Sequence, residues 1–154
     1  MSGKYFEEIG VGDEIVSGGV TVTEAAIIDF ALKYDPQRFH INVEAAQQSP
    51  FGGLIASGFH TLALGFRMFF DAGGIGDKGL GSPGIDELRW TQPVRPNDVL
   101  HTKVVITGKR ESKSRPDRGI LDLEYTVYNQ RNEVVLTMKS VAFVLRKPKN
   151  QTAE

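Results

Sequence analysis

The chain has 154 residues, 40% of them hydrophobic, a formal net charge of -1 and no cysteine. That length and apolar content suit one globular domain with a sizeable core, expected over residues 1–148 with 149–154 as a flexible tail. Balanced charge offers no broad attraction to nucleic acid or an anionic membrane, and the absence of cysteine excludes disulfides, thiolate metal sites and a cysteine nucleophile. The opening MSGKYFEEIG lacks the apolar core of a signal peptide, and no apolar run is long enough to cross a bilayer, so the expected location is cytoplasmic.

In chain order, the first strong signal is a helix over residues 23–34. Thr23 suits its N-cap, Glu24 its first turn, and Ile27, Phe30, Ala31 and Tyr34 recur at helical spacing. Asp35-Pro36 ends it, because proline disfavours the helical conformation in the residue before it. Asn42 is placed to cap a short second helix running to Gln48. After SPFGG comes Ser57 to Phe70, SGFHTLALGFRMFF, interrupted only by His60, Thr61 and Arg67 and stopped by Gly73-Gly74. A helix apolar on nearly every face is expected to be surrounded by protein.

The second half switches to period two. ILDLEYTVYN sets Leu121, Leu123, Tyr125 and Val127 on one face and Asp122, Glu124 and Thr126 on the other, the pattern of a half-buried antiparallel strand. IDELRWTQ, DVLHTKVVITGK and NEVVLTMKSVAFVLRK read as further strands, with RPDRG and NQRNE as hairpin turns. The simplest assembly is α+β: an antiparallel sheet wrapped around one long central helix, the hot-dog fold.

Chemistry-bearing residues crowd into one segment, Lys33 to Thr61. Asp35 and His40 are five positions apart across a helix-ending turn, where a tight loop can bring both side chains to one point. As residue types they read equally as a turn aspartate and a half-buried histidine. Ser57-Gly58 begins the central helix, whose free N–H groups and dipole suit a developing oxyanion, with glycine admitting a substrate close to the backbone; a plain serine N-cap is the simpler reading. GIGDKG at Gly74–Gly79 matches a dinucleotide-binding pattern but follows a helix and enters no helix. Ser57 has no G-x-S-x-G context, and no histidine spacing sets two metal ligands on one face, so serine hydrolysis and metal catalysis lack support. Lys113 and Arg115 lie in the basic turn GKRESKSRPDRG, either a solvated turn or a contact for ligand phosphates.

The stretch YDPQRFHINVEAAQQSPFGGLIASGFHT, together with RWTQPVRPNDVL, resembles the MaoC-like dehydratases, the family that includes (R)-specific enoyl-CoA hydratases. The resemblance implies a hot-dog domain, usually a homodimer or an assembly of dimers, acting on acyl thioesters of coenzyme A, with no cofactor apart from the coenzyme A of the substrate. The family's motif of an Asp followed five positions later by a His falls on Asp35 and His40, and its oxyanion glycine falls on Gly58. Here Pro36 directly follows the Asp, Gln37 stands where Asn is typical and Arg38 where Pro is. Ser57 and Phe66 are expected substrate contacts; Phe66 occupies a helix position where some family members carry a small polar residue.

These residues fit the addition of water to an enoyl thioester, or its removal from a 3-hydroxyacyl thioester, and the resemblance implies (R) stereochemistry. Gly58 would hold the thioester oxygen while Asp35 and His40 manage the protons of one water. Two alternatives remain. A hot-dog thioesterase acts on the same ligand class, but several use a carboxylate on the central helix, and Gly58 to Phe70 contains none. A non-catalytic acyl-thioester-binding protein is the other, since a fold alone does not establish a function.

Overall fold

The protein is described here by a computed structural model covering residues 3–148; the tail expected over 149–154 lies outside the described residues. After a short 3-10 turn at Phe6–Glu8, strands β1 (Glu14–Val16) and β2 (Val20–Thr21) lead into helix α1 (Glu24–Tyr34). Short helices α2 (Arg38–Ile41) and α3 (Val43–Gln47) precede the long helix α4 (Gly58–Asp71). Strands β3 (Ile85–Trp90), β4 (Val99–Glu111), β5 (Arg118–Tyr128) and β6 (Val134–Leu145) complete the chain.

The sheet order is β1-β4-β5-β6-β3, with β2 also on β4 and all pairings antiparallel. The three long strands form a meander joined by the two expected hairpin turns. Alternation decides which face is inside: Leu121, Leu123, Tyr125 and Val127 are buried, while Asp122, Glu124 and Thr126 are not. At about 25 cal/mol per Å², each such aliphatic side chain contributes roughly 1.5–3 kcal/mol.

Helix α4 lies in the concave side of this sheet, and glycine sets how close it comes. A Cβ on Gly65 would stand 2.8 Å from Val127 Cγ2, and the Thr102 hydroxyl on β4 donates to the Gly65 carbonyl at 3.1 Å. A mid-helix glycine costs about 1 kcal/mol relative to alanine. Here it lets the helix backbone sit directly on β4 and β5.

Thr23 caps α1 as expected, accepting from the Ala26 N–H, and Ile27 and Ala31 are fully buried. Tyr34, expected on the same inner face, is exposed instead, because α1 ends at the next residue and its last turn projects past the core. Asn42 caps α3 by accepting from the Ala45 N–H. His60 ties α4 to α1, its ring stacked on Phe30 at 4.7 Å and 7°. It is buried, its Nδ1 has no partner among the described residues, and burial lowers its pKa.

The expectation that α4 is surrounded on every side needs correction. Thr61, Gly65, Met68 and Phe69 are buried, but Phe59 (58%) and Phe66 (47%) are exposed, as is Phe70. One open sheet covers one side of a helix, and the apolar residues on the far side stay uncovered in a single chain. Among the described residues the last strand of the sheet, β3, pairs only with β6, leaving its other edge free, and Ile85 and Trp90 on it are exposed as well.

Candidate active site

The site begins where α1 is made to stop. Asp35 closes the helix through its N–H to the Ala31 carbonyl at 2.9 Å, Pro36 cannot continue it, and the chain restarts as α2. The His40 N–H donates to the Gln37 carbonyl at 2.9 Å, and this tight restart brings His40 back beside Asp35. Their side chains meet, Nε2 to Oδ2, at 3.3 Å.

The following segment fixes the imidazole. Residues Leu54–Ser57 run between two backbone neighbours: the Ile55 N–H donates to the Phe39 carbonyl at 3.1 Å and the Ala56 N–H to the Val94 carbonyl at 2.8 Å. So pinned, the Ile55 carbonyl lies 2.7 Å from His40 Nδ1. A carbonyl only accepts, so Nδ1 carries the hydrogen and Nε2 is the nitrogen left to exchange protons. The structure thereby assigns the tautomer, which the sequence leaves open.

Asp35 is held from both sides. The Ser57 hydroxyl donates to Oδ2 at 2.6 Å and the Gln37 amide to Oδ1 at 2.9 Å. Burial pushes the Asp35 pKa upward and is the largest single influence. The hydrogen bonds from Ser57 and Gln37 and the electrostatic influence of the neighbouring His40 together outweigh it, so the carboxyl titrates below its ordinary range. Asp35 is therefore an anion at neutral pH.

Around this pair is a cavity of about 380 Å³. Its apolar wall includes Phe39, Phe51, Ile55, Phe59, Trp90 and Val94, and its polar groups include Asp35, Gln37, His40 and the backbone of Gly58. Gly58 opens α4, so its N–H has no acceptor within the helix. The neighbouring Phe59 N–H is already taken by the Ser57 hydroxyl at 3.2 Å. The indole of Trp90 covers Gly58 closely, donating from Nε1 to its carbonyl at 2.8 Å.

Of the residues expected at the site, the fold brings Asp35, His40 and Gly58 to one cavity. Ser57 is fully buried and does not line that cavity; it supports Asp35 and caps α4, in place of the expected substrate contact. Phe66 lies two turns further along α4 and lines a separate apolar groove with Ile85 and Met138. Lys113 and Arg115 occupy the β4–β5 hairpin. The cavity lies at the other end of the sheet, where Thr91 bonds to Val135 and β4 begins at Val99. The 13 residues of β4 span roughly 40 Å, so the basic hairpin lies outside the site that one chain forms.

Sequence reasoning did not assign Gln37, Trp90 or the Ile55 carbonyl to the site. Gln37 was visible as an amide two positions after the acid. The other two depend on strand and loop pairings that no local pattern encodes.

The role of Ser57 gives a pH test. In Ser57→Ala, Asp35 loses a donor that lowers its pKa, so it protonates at higher pH and the acid limb of the rate profile should move up in pH. A hydrogen bond to an ionised carboxylate contributes about 1.5–3 kcal/mol, so the plateau rate should fall by no more than about one to two orders of magnitude. An unmoved acid limb would mean that Asp35 is not the group whose ionisation limits the rate.

Comparison with known proteins places this arrangement. Residues 10–129 match the pattern of the MaoC like domain. An uncharacterized protein of Bacillus subtilis, YdeM, is 31% identical over 125 residues, covering 81% of this chain and 87% of that protein. The crystal structure of the MaoC-like dehydratase from Rhodospirillum rubrum superposes with a TM-score of 0.89 at 41% identity, covering 96% of this chain and all of that one. The (R)-hydratase PhaJ1 from Pseudomonas aeruginosa, in its unliganded form, shares the fold with a TM-score of 0.78 at 21% identity, over 99% of this chain and 93% of that one. A sheet curled around a central helix, a domain-wide sequence match and solved relatives over nearly the whole length agree, and the chain belongs to the MaoC-like domain family.

Proposed function

We propose that the protein is a hydratase or dehydratase acting on an enoyl or 3-hydroxyacyl thioester of coenzyme A. One observation carries the reading: an ionised Asp35 and a tautomer-fixed His40 stand 3.3 Å apart in the wall of the apolar cavity that also holds the first N–H of α4. A binding module needs an apolar slot but no acid and imidazole set to share a proton.

In the hydration direction, an enoyl thioester sits with its carbonyl oxygen at the Gly58 N–H. A water between Asp35 and His40 Nε2 loses a proton to the pair as its oxygen bonds to the third carbon. The π pair moves onto the second carbon and the thioester oxygen, where the Gly58 N–H and the positive end of α4 stabilise the enolate. The second carbon then takes a proton back from the pair, leaving a neutral 3-hydroxyacyl thioester and the starting enzyme. Because one pair handles both protons on one face of a flat substrate, a single enantiomer forms, and we assign it as (R).

The deciding experiment screens enoyl-CoA and 3-hydroxyacyl-CoA thioesters for gain or loss of water, then repeats the best substrate in heavy water with chiral analysis. One (R) product with hydroxyl and deuterium on the same face is expected. An (S) or racemic product would refute the arrangement, and release of free coenzyme A without hydroxyacyl product would make the protein a thioesterase. Hydrolysis is the weaker reading because α4 offers no carboxylate from Gly58 to Phe70, and Asp71 at its end is exposed and paired with Arg67.

The same proposal includes a homodimer. The exposed Phe59, Phe66 and Phe70 and the free edge of β3 form adjoining apolar and unpaired surfaces, which a second copy would cover. Sedimentation at assay concentration should give about twice the chain mass. A monomer would refute it.

A further inference from the structure

We infer that Arg95 is the phosphate-recognition residue of this cavity, binding the phosphate at the end of a 4′-phosphopantetheine arm; the inference rests on the proposed thioester reading. Arg95 follows Val94 directly, and Val94 lines the cavity. Its guanidinium reaches across to the SPFGG loop, where Nη2 donates to the Phe51 carbonyl. Nη1 is 3.3 Å from where a Cβ on Gly53 would stand. Phe51 is itself a wall of the cavity; Arg95 does not line it, but its guanidinium bridges the two segments that carry Phe51 and Val94.

What singles it out is a missing counterion together with burial: among the described residues Arg38, Arg89 and Arg115 also lack a carboxylate partner, but all three are exposed. Arg67, Arg110, Arg118, Arg131 and Arg146 each pair with a carboxylate. Arg95 is partly buried, yet among the described residues no carboxylate pairs with its guanidinium; Asp98, three positions on, spends its oxygens on the Arg95 backbone N–H and the Gln130 amide. A guanidinium has five N–H donors and one carbonyl cannot satisfy them, so a partly desolvated fork is left for an anion. The wall of the cavity is otherwise mostly apolar, which suits an acyl group and the neutral pantetheine arm. The first charged group on such a ligand is the phosphate that ends the arm. Lys113 and Arg115, the cations expected from sequence, lie at the far end of the sheet.

The phosphate is common to coenzyme A and to a prosthetic arm on a carrier protein, and three soluble probes isolate it: pantetheine, 4′-phosphopantetheine and coenzyme A. Calorimetric affinities are measured for the wild type, Arg95→Met, Arg95→Lys and the Lys113→Ala/Arg115→Ala double variant. The wild type should bind phosphopantetheine at least about tenfold more tightly than pantetheine, the scale of one charge-assisted hydrogen-bonded contact. Arg95→Met should lose that preference while its pantetheine affinity stays near the wild-type value. Arg95→Lys should keep part of it, and the hairpin variant all of it. A preference that survives Arg95→Met, or that appears only with coenzyme A, would overturn the assignment. If Arg95→Met does not fold, the wild-type preference must still shrink as salt is raised and weaken in Arg95→Lys; a salt-independent preference overturns it equally. Because binding is measured without turnover, an Arg95-dependent preference in a protein that hydrates nothing would uphold this site and refute the proposed reaction alone.

Discussion

Asp35→Asn and His40→Asn should each lower turnover by at least about a hundredfold while the protein stays folded, because each removes a group that moves protons. The choice of asparagine follows from the hydrogen bonds. At position 35 its carbonyl can still accept from Ser57, but its amide cannot take a proton from water. At position 40 its amide can replace Nδ1 as the donor to the buried Ile55 carbonyl, at 2.7 Å in the native protein, while nothing replaces Nε2. His40→Ala should show the same loss of turnover plus a stability cost of about 1–3 kcal/mol, because the Ile55 carbonyl is left without its donor. Turnover and denaturant melts are read on the same samples. Activity that falls only in proportion to the folded fraction would remove the pair from the mechanism and leave it a structural contact.

Gly58→Ala should be the most disruptive single methyl in the site. Its Cβ would lie 2.5 Å from Cε2 and 2.7 Å from Nε1 of Trp90, closer than such atoms approach, so the indole must move and its bond to the Gly58 carbonyl must break. Overpacking of this kind costs about 1–3 kcal/mol, and because alanine keeps the backbone N–H, any loss of turnover comes from the methyl crowding the bound substrate or displacing that donor. The two effects separate in the double variant Gly58→Ala/Trp90→Leu. Removing the indole makes room for the methyl, so stability should return towards that of Trp90→Leu alone. If the single variant melts like the wild type, Trp90 yields without cost and Gly58 is not constrained by the ring.

The long strands were legible because burial on one face leaves a period-two trace that needs no partner to be read: β5 alternates as its residues alternate, whereas β1 and β2, three and two residues long, are too short to show a period and were not read. The Thr23 and Asn42 caps were legible for a similar reason, since an N-cap side chain bonds a backbone N–H only three positions away. Asp35 and His40 were also local, five residues around a proline.

Tertiary structure decided the rest. That His40 turns Nε2 towards Asp35 depends on a carbonyl 15 residues away that holds Nδ1, in a loop bonded to Val94. That Ser57 serves Asp35 depends on two side chains 22 positions apart meeting at 2.6 Å. That the basic hairpin and Phe66 lie outside the cavity of Asp35 and His40 was not legible, because sequence gives the charge or bulk of a residue without its distance from a site, and a strand of 13 residues carries a turn far from where it started. Apolarity suggested that α4 is covered on every side, but an open sheet covers only one side of a helix, so composition alone could not show that Phe59, Phe66 and Phe70 stay exposed in a single chain.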